Sequence, residues 1–123
     1  MTAWPDSTPT AVPPPPYTPR PTSTAAPDIE ALLAHMTLEE KLGQVMVIGF
    51  DGLEPENELL EMIRTYHVGG VILFARNVDS PRQVAELTNA LQRAALESGH
   101  PGLLISMDQE GGRVARLTEN KGF

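Results

Sequence analysis

The chain has 123 residues, a formal net charge of −7, 12 prolines, no cysteine and six aromatic side chains (one Trp, two Tyr, three Phe). No stretch approaches the roughly 18 uninterrupted apolar residues of a membrane span, and no Lys/Arg cluster is present to neutralise a nucleic-acid backbone. No membrane span and no nucleic-acid partner is therefore expected, and the absence of cysteine removes disulfide frameworks and thiolate metal sites.

The prolines divide the chain in two. Nine of them precede Asp28, in a segment with one acid (Asp6) and one base (Arg20), so the whole charge of −7 belongs to residues 28–123. Residues 1–27, with the run Pro13–Pro16 among Thr, Ser and Ala, have the composition of a disordered Pro/Thr-rich tail or linker. A proline-rich docking ligand is the alternative for that segment. No basic-then-apolar leader is legible, so the cytoplasm is the default compartment, with export open.

From Asp28 the pattern becomes that of a fold. Asp28 to His35 can form a short helix capped by Asp28, and Thr37-Leu38-Glu39-Glu40 has the spacing of a capping box, starting a second helix that runs to about Gly43. Val45 to Phe50 is a continuous apolar run, as expected of a strand buried on both faces. Pro55 to His67 carries Leu59, Leu60, Ile63 and Tyr66 at helical spacing and is stopped by Gly69-Gly70. Val71 to Ala75 is the second apolar strand. Ser80-Pro81-Arg82-Gln83 opens a helix with a cap, a proline in the first turn and a capping-box Gln. That helix continues through Val84, Leu87, Leu91 and Ala94/Ala95 to Gly99, and Leu103 to Met107 is the third strand.

The order β-α-β-α-β, with crossovers of roughly 20 to 30 residues, predicts parallel strands joined over one face. Periodicity does not distinguish an open sheet from a barrel. Three apolar parallel strands would leave two unpaired edges, so the chain reads as part of a larger sheet.

Polar residues gather where the strands end: Asp51-Gly52, Arg76-Asn77, and the run Asp108-Gln109-Glu110-Gly111-Gly112-Arg113-Val114-Ala115-Arg116. In parallel α/β folds these carboxyl ends form the ligand-binding rim. A carboxylate, flexible glycines and two arginines suit a polyol or anion clamp; an Asp–Arg pair that only closes a loop is the competing reading. Among other residues, His67 suits a helix terminus, where an imidazolium complements the dipole. His35 and His100 show no second ligand at metal spacing, and Gly49-x-x-Gly52 lacks the third glycine of a dinucleotide fingerprint. Met36, Met46, Met62 and Met107 read as core filler. No metal site and no cofactor is expected.

Gly69 to Asn77, followed by Met107 to Leu117, closely resembles glycoside hydrolase family 3, and within it the β-N-acetylhexosaminidase (NagZ-like) branch. Leu42-Gly43-Gln44 is similar to the Gly-Gln that opens the same domain, and the resemblance covers about residues 36–123. It implies that residues 28–123 are the N-terminal part of a (β/α)₈ TIM barrel, about three β/α units of a fold that needs about 250 residues. It also implies a retaining glycosidase with an aspartate nucleophile and a separate acid/base.

Carried over position by position, Asp108 corresponds to the aspartate that binds hydroxyls of the nonreducing-end sugar, and Arg116 to a sugar-binding arginine. Glu110, Gly111, Gly112 and Arg113 support the loop. The nucleophile, the Lys-His pair and the His-containing acid/base loop are expected beyond residue 123, so no catalytic residue is assigned and the chain alone is expected to be inactive. The expected partners are a carbohydrate substrate and a missing C-terminal portion of the barrel. The alternatives are a non-catalytic sugar-binding or complementation-dependent fragment, and another family 3 specificity such as β-glucosidase or β-xylosidase.

Overall fold

The computed structural model describes residues 28–123, so the expectation for the Pro-rich segment lies outside the described residues. The fold opens with two short helices, α1 (Ile29–His35) and α2 (Leu38–Gln44). Asp28 caps α1 by accepting from Ala31 N–H at 3.2 Å. Thr37 and Glu40 form the full capping box on α2: Glu40 N–H donates to Thr37 Oγ1 at 3.2 Å, and Thr37 N–H donates to Glu40 Oε2 at 2.7 Å. Strand β1 (Val47–Gly49) follows, then α3 (Asn57–Tyr66), β2 (Gly70–Leu73), α4 (Pro81–Glu97) and β3 (Leu104–Met107).

The strands form one parallel sheet in the order β1-β2-β3, with Ile48 opposite Val71 and Val71 opposite Ile105. Alternation along the strands sorts side chains to two faces. Val71 and Leu73 are fully buried against Ile63 of α3 and Leu87, Leu91, Ala94 and Ala95 of α4, with Ile48, Phe50, Ile105 and Met107 at the margin of the cluster. Burying one such aliphatic side chain contributes about 1.5–3 kcal/mol, so this layer holds the two crossovers to the sheet. The helical apolar spacing read from the sequence faces it at Leu59, Leu60, Ile63, Val84, Leu87, Leu91, Ala94 and Ala95, whereas Tyr66, expected on the same stripe, is 63% exposed.

The expectation that the first strand is buried on both faces requires correction. Val47 and Gly49 are exposed, and Leu104 of β3 is 64% exposed. Among the described residues α3 and α4 cover one face only. The other carries Val47, Gly49, Ile72, Leu104 and Ser106, which is the face a barrel turns inward.

The first strand also starts later than its apolar run. Val45 adopts αR and ends α2, and its N–H donates to the Gly43 carbonyl together with that of Met46. A close backbone approach causes this. Gly69 N–H donates to Gly43 O at 2.9 Å, and a Cβ on Gly69 would sit 1.9 Å from Gln44 O. Only glycine lets these two segments touch, and that contact fixes where α2 stops. The second strand is shorter than expected for a similar local reason: Ala75–Asn77 coil into a 3-10 turn.

Candidate functional site

The carboxyl ends of the three strands carry the polar residues singled out in the sequence. At the tip of β2, Asn77 is completely buried. Its Nδ2 donates to the carbonyls of Phe50 (3.1 Å) and Gly52 (2.8 Å), and its Oδ1 accepts from Phe74 N–H at 2.8 Å. One amide therefore satisfies three backbone groups and ties the end of β1 to the end of β2. Arg76 joins the same seam. Its Nε donates to Phe50 O at 3.0 Å, its guanidinium pairs with Asp51, and it lies 4.4 Å above the Phe74 ring.

Gln83, expected to close a capping box with Ser80, does something else. Ser80 does cap α4, accepting from Gln83 N–H at 3.3 Å. The Gln83 side chain passes the cap: Oε1 accepts from Asp79 N–H at 2.9 Å, and Nε2 donates to the carbonyls of Leu53 and Asn77. The loops after β1 and β2 are thus latched by two amide side chains.

Asp108 stands at the tip of β3, with its side chain 46% exposed. Arg116 comes back to it: its Nη2 donates to Asp108 Oδ2 at 3.4 Å, while its own side chain is only 18% exposed. This is the one side-chain hydrogen bond of that guanidinium among the described residues, and its Nε is buried with no partner there. The loop between the two residues is closed by Gln109, whose Oε1 accepts from the N–H groups of Arg116 (2.7 Å) and Leu117 (3.1 Å). Its Nε2 donates to Leu117 O at 3.0 Å.

At the loop tip, the N–H groups of Glu110 and Gly111 both donate to Val114 O, and Gly111 and Gly112 take φ of 87° and 58°. Those left-handed values are what the glycine pair permits. The Glu110 and Arg113 side chains are exposed, and neither forms an ion pair among the described residues. The structure therefore brings Asp108 and Arg116 together and leaves Glu110 and Arg113 on the loop's outer side.

Gln109 and the buried Asn77 carry more of the geometry than sequence reasoning assigns them. Both are amides immediately beside a strand tip, which is the signal that marks them. Lys121 adds a last tie across the rim, its Nζ donating to the carbonyls of Ala75 (3.2 Å) and Val78. A half-exposed carboxylate beside an underused guanidinium on a braced rim can accept hydroxyl hydrogen bonds and donate charge-assisted ones.

Residues 37–123 match the glycosyl hydrolase family 3 N terminal domain. Over 65 residues the chain is 52% identical to Beta-hexosaminidase A of Pseudoalteromonas piscicida, a match that spans 52% of this chain and 11% of that protein. A family 3 beta-N-acetylglucosaminidase from Paenibacillus sp. str. FPU-7 superposes with a TM-score of 0.65 at 49% identity, over 68% of this chain and 16% of that one. NagZ from Neisseria gonorrhoeae, solved in complex with N-trifluoroacetyl-D-glucosamine, superposes with a TM-score of 0.55 at 31% identity, over 63% of this chain and 21% of that one. The chain thus spans between about a tenth and a fifth of the length of these relatives. It belongs to glycosyl hydrolase family 3, and its parallel strands are β/α units of a partial (β/α)₈ barrel within that family's N-terminal domain.

Proposed function

We propose that this chain supplies part of the nonreducing-end sugar-binding rim of a retaining glycosidase that releases β-linked N-acetylhexosamine. The observation that carries the reading is the pairing of Asp108, half exposed at the tip of β3, with the mostly buried Arg116. An ionised carboxylate with a free face accepts two sugar hydroxyls, and the guanidinium keeps donors for a ring or acetamido oxygen. The beta-hexosaminidase and beta-N-acetylglucosaminidase relatives support the N-acetylhexosaminide class. So does the N-trifluoroacetyl-D-glucosamine bound to the gonococcal protein.

Retaining hydrolysis needs one carboxylate as nucleophile and a second group as acid/base. In this reading Asp108 binds substrate, and both catalytic groups come from parts of the barrel outside these 123 residues. The same parts cover the exposed inner face of β1 and β3. The expected outcome is that the chain shows no turnover of p-nitrophenyl N-acetyl-β-D-glucosaminide. In saturation-transfer NMR it contacts N-acetylglucosamine, and the signal is lost in Asp108→Ala and in Arg116→Ala. Robust hydrolysis abolished by Asp108→Ala would move the nucleophile into this chain and overturn the assignment. Contact with N-acetylglucosamine that survives both substitutions would place the sugar elsewhere.

A further inference from the structure

At the amino ends of the strands, opposite the sugar-binding rim, three side chains with no part in that chemistry converge. Glu40 lies in α2, His67 ends α3, and His100 lies in the link from α4 to β3. His67 Nδ1 and His100 Nδ1 are 2.7 Å apart, and Glu40 Oε1 is 3.9 Å from His67 Nδ1. One ligand atom from each residue falls within 4.8 Å of the others. The spacing in sequence gives no hint of this: His100, read there without a second ligand, stands beside His67 and Glu40.

The backbone adds an independent sign. His67 sits in the left-handed region at φ 56°, the only non-glycine among the described residues to do so. A residue with a Cβ held there costs roughly 1–2 kcal/mol, and such strain concentrates at functional positions. A glycine at this helix end would remove the cost and would remove the imidazole with it.

Hydrogen-bond chemistry then fixes the protons. His100 Nε2 lies 3.2 Å from the Arg64 carbonyl, which can only accept, so Nε2 carries the hydrogen. In the neutral ring, His100 Nδ1 therefore carries no hydrogen and stands 2.7 Å from His67 Nδ1, with the two rings edge to face at 3.8 Å between centroids. The outer partners are already in place. The Arg64 carbonyl holds the His100 tautomer, and Thr37 N–H holds the second oxygen of Glu40 at 2.7 Å. Anchored outer partners of this kind are what orient metal ligands.

We infer that Glu40, His67 and His100 form a binding site for a divalent cation of borderline softness, Zn²⁺ in the first instance, with water completing the coordination. Zinc–nitrogen bonds of about 2.0–2.1 Å in tetrahedral geometry hold two nitrogens about 3.3 Å apart, so the imidazoles open by about 0.6 Å to admit the ion. On binding, the His67 proton leaves Nδ1 for solvent and Nε2 takes one up, so both rings stay neutral and no net proton is released. The ion ties α2, the end of α3 and the lead-in to β3 to one another. It is a structural staple at the end of the barrel away from the sugar, and it stands independently of the sugar-binding reading.

The test is titration of ZnCl₂ into the chelator-treated chain by isothermal calorimetry at about pH 7.5, with thermal melting followed in parallel. One ion per chain is expected, with a higher melting temperature when it is bound. Three conservative variants probe the ligands. His67→Asn keeps a residue tolerant of the left-handed region, Glu40→Gln keeps the capping acceptor, and His100→Gln keeps a polar side chain. Each removes a direct ligand and is expected to weaken binding by more than the roughly ten- to hundredfold that losing an outer partner costs. His35→Gln, outside the cluster, should leave it unchanged. Substitution with Co²⁺ should give the visible d–d bands of a four-coordinate nitrogen/oxygen site. No saturable Zn²⁺ binding by the folded chain would overturn the proposal. Equally tight binding by a His67→Asn/His100→Gln double variant with an unaltered far-UV CD spectrum would do the same.

Discussion

At the carboxyl ends of the strands, loops are joined by side chains reaching backbone: Asn77 to Phe50 and Gly52, Gln83 to Leu53, Gln109 to Leu117. At the amino ends amide side chains reach backbone too, Gln44 to His67 O and Gln92 to both N–H and O of Leu103, but there backbone also touches backbone, with Gly69 bonded to Gly43. The difference separates two tasks. Amide latches hold loops in place while leaving Asp108 half open to a ligand. Glycine contacts leave no room and fix how the helices enter the sheet. Chemistry can vary on the Asp108 loop with little effect on folding, whereas the contact between Gly43 and Gly69 tolerates almost no added atom.

Substitutions at both ends test that contrast, and the largest effect is expected at the tight end. Gly69→Ala places its Cβ 1.9 Å from the Gln44 carbonyl oxygen. Neither backbone can yield cheaply, so a loss of about 3 kcal/mol or more is expected in urea unfolding. Asn77→Ala comes next. It strands the Gly52 carbonyl and the Phe74 N–H in a buried seam, leaves Phe50 O to Arg76 alone, and should cost about 2–3 kcal/mol, with faster amide exchange at Phe74 as the local signature.

Smaller effects belong to the open loop. Gln109→Ala removes the acceptor for two N–H groups near the surface, so about 1 kcal/mol is expected, together with weaker N-acetylglucosamine contact because Arg116 loses its anchor. Gly111→Ala meets nothing within 4 Å and suffers only from its φ of 87°, a cost of about 1 kcal/mol. If Gly69→Ala proved as mild as Gly111→Ala, the distinction between a rigid end and an adaptable end would collapse.

Local chemistry was legible in the sequence, and contacts across crossovers were not. The caps at Asp28, Thr37 and Ser80 act where their spacing places them, because a cap satisfies groups within one helical turn. The apolar positions of α3 and α4 face the sheet as their period requires, except Tyr66 at the end of α3, which is exposed. Val45 shows the limit. Its apolar run reads as strand, yet the contact between Gly43 and Gly69 keeps it at the end of α2. Gln83 shows it again, since a local motif predicts a bond to Ser80 and the side chain finds better partners in a loop 30 residues away. Asp108 and Arg116 were legible as a pair through their motif, whereas Gln109 between them became visible only as a latch. The histidine cluster needed the parallel register itself, which carries His67 and His100 to the same end of neighbouring strands.

Lys121 has one further implication. By donating to the carbonyls of Ala75 and Val78, it fastens the segment that follows Arg116 onto the turn that carries Asn77. The loop bearing Asp108 and Arg116 is thereby tied to the seam between β1 and β2. On the proposed reading, a sugar arriving at this rim meets donors and acceptors tied to one another through the backbone. Little ordering entropy remains to be lost on binding, and discrimination between epimers rests on geometry that the ligand itself does not have to induce.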